Sequence, residues 1–205
     1  MNEKFKNLRA KYFPLAIREE YEVISSDEKT VSQFLRGHFS SVFPRENESG
    51  HQGTLLTAPE RKLIIAELSE KTGYNSLHKE HFLFLKSGEP VGWSTGETMD
   101  FMTYYMRNTG ILPKHQNRGL YSIFLQMLTK YLEEIGYERL SSQHSPDNSK
   151  MLITKLKAGF IVTGMDLDER WGSLIRLTKF LKNDRAKEFS NCFGQGLIEQ
   201  TTKKN

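Results

Sequence analysis

The stretch Ile111-Leu112-Pro113-Lys114-His115-Gln116-Asn117-Arg118-Gly119-Leu120-Tyr121 decides how this chain is read. Its apolar start reads as the end of a strand, Pro113 breaks it, and a short polar loop with one glycine leads straight into a helix. That helix is the clearest in the sequence. Leu120, Ile123, Phe124, Met127, Leu128, Tyr131, Leu132 and Ile135 recur at helical spacing until Gly136. The first turn of a helix has backbone N–H groups without intrahelical acceptors, together with the positive end of the dipole. Such a loop suits a phosphate or diphosphate. Gly119 lets the backbone approach the ligand closely, and Arg118 adds a cation. One junction of this kind is common, so the surrounding pattern must give it weight.

Toward the N-terminus, Phe82-Leu83-Phe84-Leu85 has the signal of a buried strand and Ser87-Gly88-Glu89-Pro90 that of a turn. Val91 to Thr95 and Phe101 to Leu112 continue a meander. Further back, Tyr21 to Ile24 reads as a short strand, and a helix capped by Ser26 or Asp27 uses Val31, Phe34, Leu35 and His38. Residues 44–59 read as a polar loop. A second helix, from near Pro59 to near Gly73, uses Leu63, Ala66 and Glu67. Met1 to Arg18 holds Phe5, Leu8, Tyr12 and Phe13 at the spacing of a packing helix. Toward the C-terminus come a strand over Arg139–His144, a helix from Asn148 to Ala158, and strands over Phe160–Leu167 and Ser173–Phe180. The order predicts an α/β fold: a mixed, mostly antiparallel central sheet flanked by helices. Residues 1–180 form one domain, with the cofactor-binding half at about 81–180 and a helix or loose tail over 181–205.

The stretch around Gly119 resembles the signature of the GNAT superfamily, the acyl-CoA-dependent N-acyltransferases. Their loop reads Arg/Gln-x-x-Gly-x-Gly/Ala, and Gln116, Gly119 and Tyr121 stand at its three defined places. Family members also place an asparagine after the next strand, opening a helix that ends in Gly-Phe; here Asn148 precedes Gly159-Phe160. The resemblance implies acetyl-CoA as cosubstrate and a cleft where one strand bulges away from the next. In that cleft the pantetheine arm pairs with Thr109, Gly110 and Ile111, and Asn148 hydrogen-bonds it. The diphosphate rests on Gln116, Asn117, Arg118, Gly119, Leu120, Tyr121 and Ser122. A ligand rich in amides can act as an extra strand, and a diphosphate suits a helix start.

Three places depart from the family pattern. Tyr121 stands where glycine or alanine is usual. Lys155 stands seven residues after Asn148, where many relatives carry a tyrosine that protonates the leaving thiolate. Tyr105 and Gln143 occupy two positions often used for a general-base glutamate. Seven helical residues span ~10.5 Å, a plausible run from mid-pantetheine to sulfur, so Lys155 is a candidate to steady the thiolate. The bland reading, that Lys155 and Lys157 complement the helix dipole, is favoured about two to one. Glu97, Asp100 and Tyr105 are candidate bases, although carboxylates here more often sit in solvated turns. Presenting neutral an amine of pKa ~10.4 at pH 7 costs about 4.6 kcal/mol. A thiol of pKa ~8.5 leaves without an obligatory acid. Direct attack of an amine on the thioester in a ternary complex therefore survives as the expected mechanism. The rival is a catalytically silent acyl-CoA-binding sensor or interaction module.

Composition bounds the rest. The chain has 205 residues, 37% hydrophobic and 26% charged, a globular balance. No apolar run approaches bilayer length and the N-terminus has no signal-peptide core, so no membrane partner is expected. The single cysteine, Cys192, excludes an internal disulfide and fits a cytoplasmic setting. The net charge of +4 comes from residues 1–20 and 181–205, which contribute +2 each. The neutral body argues against nucleic acid. The six histidines show no metal-site spacing, so no metal is expected. His115 and His144 fall near the cleft, while Trp93, Trp171, Phe82 and Phe84 are read as core. The acceptor, a small-molecule amine or a peptide or protein amine, is left open, as is a homodimer.

Overall fold

A computed structural model describes residues 3–18, 20–43, 59–168 and 171–193. The elements are α1 (Glu3–Tyr12), β1 (Leu15–Arg18), β2 (Tyr21–Ser25), α2 (Glu28–Val42), α3 (Pro59–Lys71), β3 (Lys79–Lys86), β4 (Glu89–Thr98) and β5 (Thr103–Ile111). They continue as α4 (Leu120–Ile135), β6 (Arg139–His144), α5 (Ser149–Lys157), β7 (Ile161–Asp168), β8 (Gly172–Phe180) and α6 (Asn183–Phe193). Short 3₁₀ turns lie at Tyr74–Ser76 and Pro113–His115. The eight strands form one sheet in the order β1-β2-β3-β4-β5-β6-β8-β7. Only β5 and β6 run parallel, because the α4 crossover joins them; the other pairs are antiparallel.

Both sheet faces are covered, which explains the uninterrupted apolar run in β3. Phe82 and Phe84 join the larger core with Phe124, Leu128 and Leu132 of α4 and Phe13. Leu83 and Leu85 turn the other way and meet Trp93 and Val31 of α2. Asp27 caps α2 by accepting from the Thr30 N–H at 2.9 Å. α1 docks beside α4 through a buried carboxylate. Glu80 Oε1 accepts from Arg9 at 3.0 Å and from Tyr131, and lies 2.8 Å from His78 Nε2.

Several details differ from the sequence reading. Leu15–Arg18 is an edge strand rather than part of an N-terminal helix, because the helix ends before Pro14 and Leu15 pairs with Val23 across the turn after Arg18. Phe101 and Met102 belong to a turn shaped by Asp100, whose Oδ1 accepts the Met102 and Thr103 N–H groups. Trp171 is not core: it sits in the β7–β8 turn, 39% exposed. α3 forms where expected, yet Leu63 is exposed along with Ile64, Ile65 and Leu68. The expected loop over 44–59 lies, up to residue 58, outside the described residues, as does the tail beyond 193.

Candidate active site

The parallel pairing of β5 with β6 stops after three residue pairs, ending at Tyr105 and Ser141. Beyond that, β5 runs on to Ile111 and β6 to His144 without touching. A bulge separates them. On β4, Thr95 pairs with Asn108 and Gly96 with Met106, so Arg107 has no partner. An extra residue bends and twists the strand that carries it. The result is a cleft whose wall is the free backbone edge of residues 106–111. Gly110, on this wall, is required by packing: a Cβ there would fall inside the buried ring of Trp93.

The cleft opens onto the loop before α4. Asn117 (φ 61°) and Gly119 (φ 75°) are both left-handed, a conformation that asparagine and glycine tolerate best. The first helical bond runs from the Ile123 N–H to the Gly119 carbonyl. The amides of Leu120, Tyr121 and Ser122 therefore face outward with no intrahelical acceptor. Gln116 acts as a brace: its side-chain Nε2 donates to the Ile111 carbonyl at 2.8 Å and its N–H to Pro113 at 3.3 Å. Asn148 caps α5, accepting from the Met151 N–H at 3.2 Å. Two cations that sequence reasoning overlooked also reach this loop. Lys150 donates to Asn117 Oδ1, and Arg18 Nη2 lies 3.6 Å from where a Gly119 Cβ would be. Neither carried a motif signal, since one comes from the far edge of the sheet and the other from the next helix.

At the apex of the cleft lies Lys155. It is fully buried, with Nζ 3.0 Å from Met106 Sδ and 4.1 Å from the centre of the Phe160 ring. Met106 is the last β5 residue before the bulge. Among the described residues, Lys155 forms no ion pair. Burial, aided by the charge of Lys179, lowers its amine to about 7. His144, at the end of β6, is lowered to about 4 by burial and by Lys155. The Tyr121 ring lies 5.8 Å from Lys155 Nζ, and burial raises its phenol far above the usual range. Buried basic groups without a carboxylate suit a ligand that becomes negative beside them.

The other sheet face presents a second set of side chains. Glu97, 13% exposed, accepts from Tyr74 Oη at 2.6 Å and from Arg107 Nη1 at 2.8 Å. Tyr105 Oη donates to Gln143 Oε1 at 2.9 Å, joining across the cleft the two positions that stand in place of a general-base glutamate. Gln143 Nε2 donates in turn to Asp166 Oδ2 at 2.7 Å, and Asp166 pairs with Arg176. Burial raises the Tyr105 phenol against the opposing charge of Arg107, while Glu97, Asp166 and Asp168 add to the rise. Tyr105 is thus a hydrogen-bond donor at neutral pH. Asp100 is committed to its turn, and His115 Nδ1 lies 3.0 Å from Tyr21 Oη, off the cleft floor. Among the described residues, no group of three or more His, Cys, Asp or Glu could hold a metal ion.

A mixed sheet whose one parallel pair parts beside a glycine loop at a helix start defines the class of acyl-CoA N-acyltransferase folds. The acetyltransferase (GNAT) family model matches residues 47–160, more than half the chain, and the chain belongs to that family. Three solved structures illustrate the fold. A GNAT family acetyltransferase from Elizabethkingia anophelis with acetyl-CoA bound is 17% identical (TM-score 0.54; 80% of this chain, 99% of that one). The acetyltransferase yncA from Salmonella typhimurium, with its cofactor acetyl-CoA, is 14% identical (TM-score 0.53; 80% and 96%). RimL, a ribosomal L7/L12 alpha-N-protein acetyltransferase in complex with coenzyme A, is 15% identical (TM-score 0.55; 81% and 97%). A search of curated proteins finds no match.

Proposed function

We propose that the protein transfers the acetyl group of acetyl-CoA to an amine by direct attack in a ternary complex. The observation that carries this reading is the free edge of residues 106–111 opening beside the unpaired amides of the α4 start. Amides of a pantetheine arm can pair with that edge near Thr109, Gly110 and Ile111. The loop from Gln116 to Ser122 suits a diphosphate, with Arg18, Arg118 and Lys150 as nearby cations. Gln116 would act through its brace on Ile111. Asn148, with its carbonyl spent on the helix cap, keeps its NH₂ for the arm.

Lys155 is placed to serve the leaving group. In its ammonium form, at the apex of the cleft, it can donate a proton to a departing thiolate. The amine would approach from the Tyr105 side, where Glu97 and the Tyr105 oxygen offer acceptors for its N–H bonds. Both Glu97 oxygens already accept hydrogen bonds, a fact that favours the silent sensor as the second reading. Calorimetry with coenzyme A and release of free thiol from acetyl-CoA over a panel of amines test both readings. Micromolar affinity with amine-dependent thiol release is expected. Affinity without turnover selects the sensor, and no affinity in a folded protein removes both.

A further inference from the structure

The side chains around Tyr105 form two acid–base pairs, one on each lip of the cleft. On β4 and β5, Arg107 pairs with Glu97 at 2.8 Å; on β7 and β8, Arg176 pairs with Asp166. The charges of Arg107, Glu97 and Asp166 all perturb the Tyr105 phenol. Arg107 is the bulged residue itself, and its guanidinium lies against Glu97 and Tyr74 on the Tyr105 side of the sheet. Among the described residues only its Nη1 is engaged, with Glu97 and Tyr74, and the side chain is 58% exposed. Nε and Nη2 are left as an open fork, the geometry that grips a carboxylate with two hydrogen bonds. An exposed cation 2.8 Å from a largely buried anion is the complement of a molecule carrying both charges.

We propose that the acceptor is a small zwitterion: an amine that bears its own carboxylate a few bonds away, with Arg107 holding the carboxylate while the amine faces Tyr105. This deepens the transferase reading and rests on it. An acceptor lacking the anion would leave the fork of Arg107 empty. A zwitterion engages both members of the pair: its carboxylate takes the open fork, and its ammonium hydrogen-bonds Glu97, whose carboxylate takes up the proton the amine gives up before it attacks the thioester.

The test compares amino acids with matched amino-acid amides and decarboxylated amines, following thiol release from acetyl-CoA with the full chain. A preference in kcat/KM of tenfold or more for the zwitterions is expected. Arg107→Gln should erase most of that preference through KM, with the decarboxylated amines changed less than threefold, and Arg107→Lys should restore part of it. Arg107→Met, which keeps the length of the stem but lacks the fork, provides a second variant should Arg107→Gln melt early. Equal or better use of uncharged-tail amines, or a preference that survives both variants, overturns the proposal. So does the absence of turnover with every zwitterion. Calorimetry with coenzyme A on the same preparation then shows whether the transferase reading falls too, since that affinity does not depend on the acceptor.

Discussion

The proposed chemistry leans hardest on one residue, Lys155. Its amine, buried without a carboxylate, sits near 7 instead of the lysine range, so it titrates in the physiological window. If the ammonium protonates the thiolate, turnover should decline as pH rises through about 7, and Lys155→Met should lower kcat at least tenfold with little change in coenzyme A affinity. Unchanged turnover in that variant leaves the dipole reading in place. Stability supplies an independent check. Between about 7 and the unfolded lysine value the unfolded chain binds the extra proton, so stability should rise with pH, at most about 1.4 kcal/mol per unit. Denaturant melts of Lys155→Met should lose that slope while keeping the one below pH 6.5 that His144 contributes. Gly110 is the converse case, a position defined by volume. Gly110→Ala pushes a methyl group into Trp93, and a loss of about 1–3 kcal/mol is expected in urea unfolding.

At the scale of elements, two junctions decide whether the site exists. The α4 start brings Arg18 of β1 and Lys150 of α5 to the glycine loop that carries Arg118. The double variant Arg118→Ala/Lys150→Ala should weaken coenzyme A binding tenfold or more by calorimetry, and the wild-type affinity should fall with salt. An unchanged dissociation constant would place the diphosphate elsewhere. The α1–β3 junction rests on Glu80, whose buried carboxylate gathers Arg9, His78 and Tyr131 on a single oxygen. Burial pushes its pKa up, but the hydrogen bonds and the Arg9 charge outweigh that and hold it below the ordinary value. Its contribution is therefore present at neutral pH and lost as pH falls through the folded pKa. Glu80→Ala leaves the part-buried Arg9 guanidinium without its carboxylate, and a cost of about 1–3 kcal/mol should appear in thermal or urea unfolding.

Across the whole molecule, the sheet separates two tasks. In the proposed reading, the face under α4 and α5, with its basic side chains, would take the cosubstrate. The other, with its ion pairs and tyrosines, would take the acceptor. The bulge at Arg107 lets one strand serve both, since it opens the wall on one side and re-aims a guanidinium on the other.

Local pattern was sufficient for much of this. The α4 helix, its loop, the Asn148 cap and the run of strands are written in nearest-neighbour chemistry: helical spacing, a proline break, glycines where the chain turns left-handed. Those signals depend on residues a few positions apart, so the sequence alone determined the mixed sheet and the glycine loop at the α4 start. What required the tertiary structure were contacts between distant segments. The depression of the Lys155 amine comes from burial under Met106 and Phe160, which no spacing reveals. Gln116 as a brace, Arg18 and Lys150 beside the loop, and the Glu97–Arg107 and Asp166–Arg176 pairs all join residues from separate elements. Desolvation and ion pairing act through space. Only the folded chain determines which charges become neighbours.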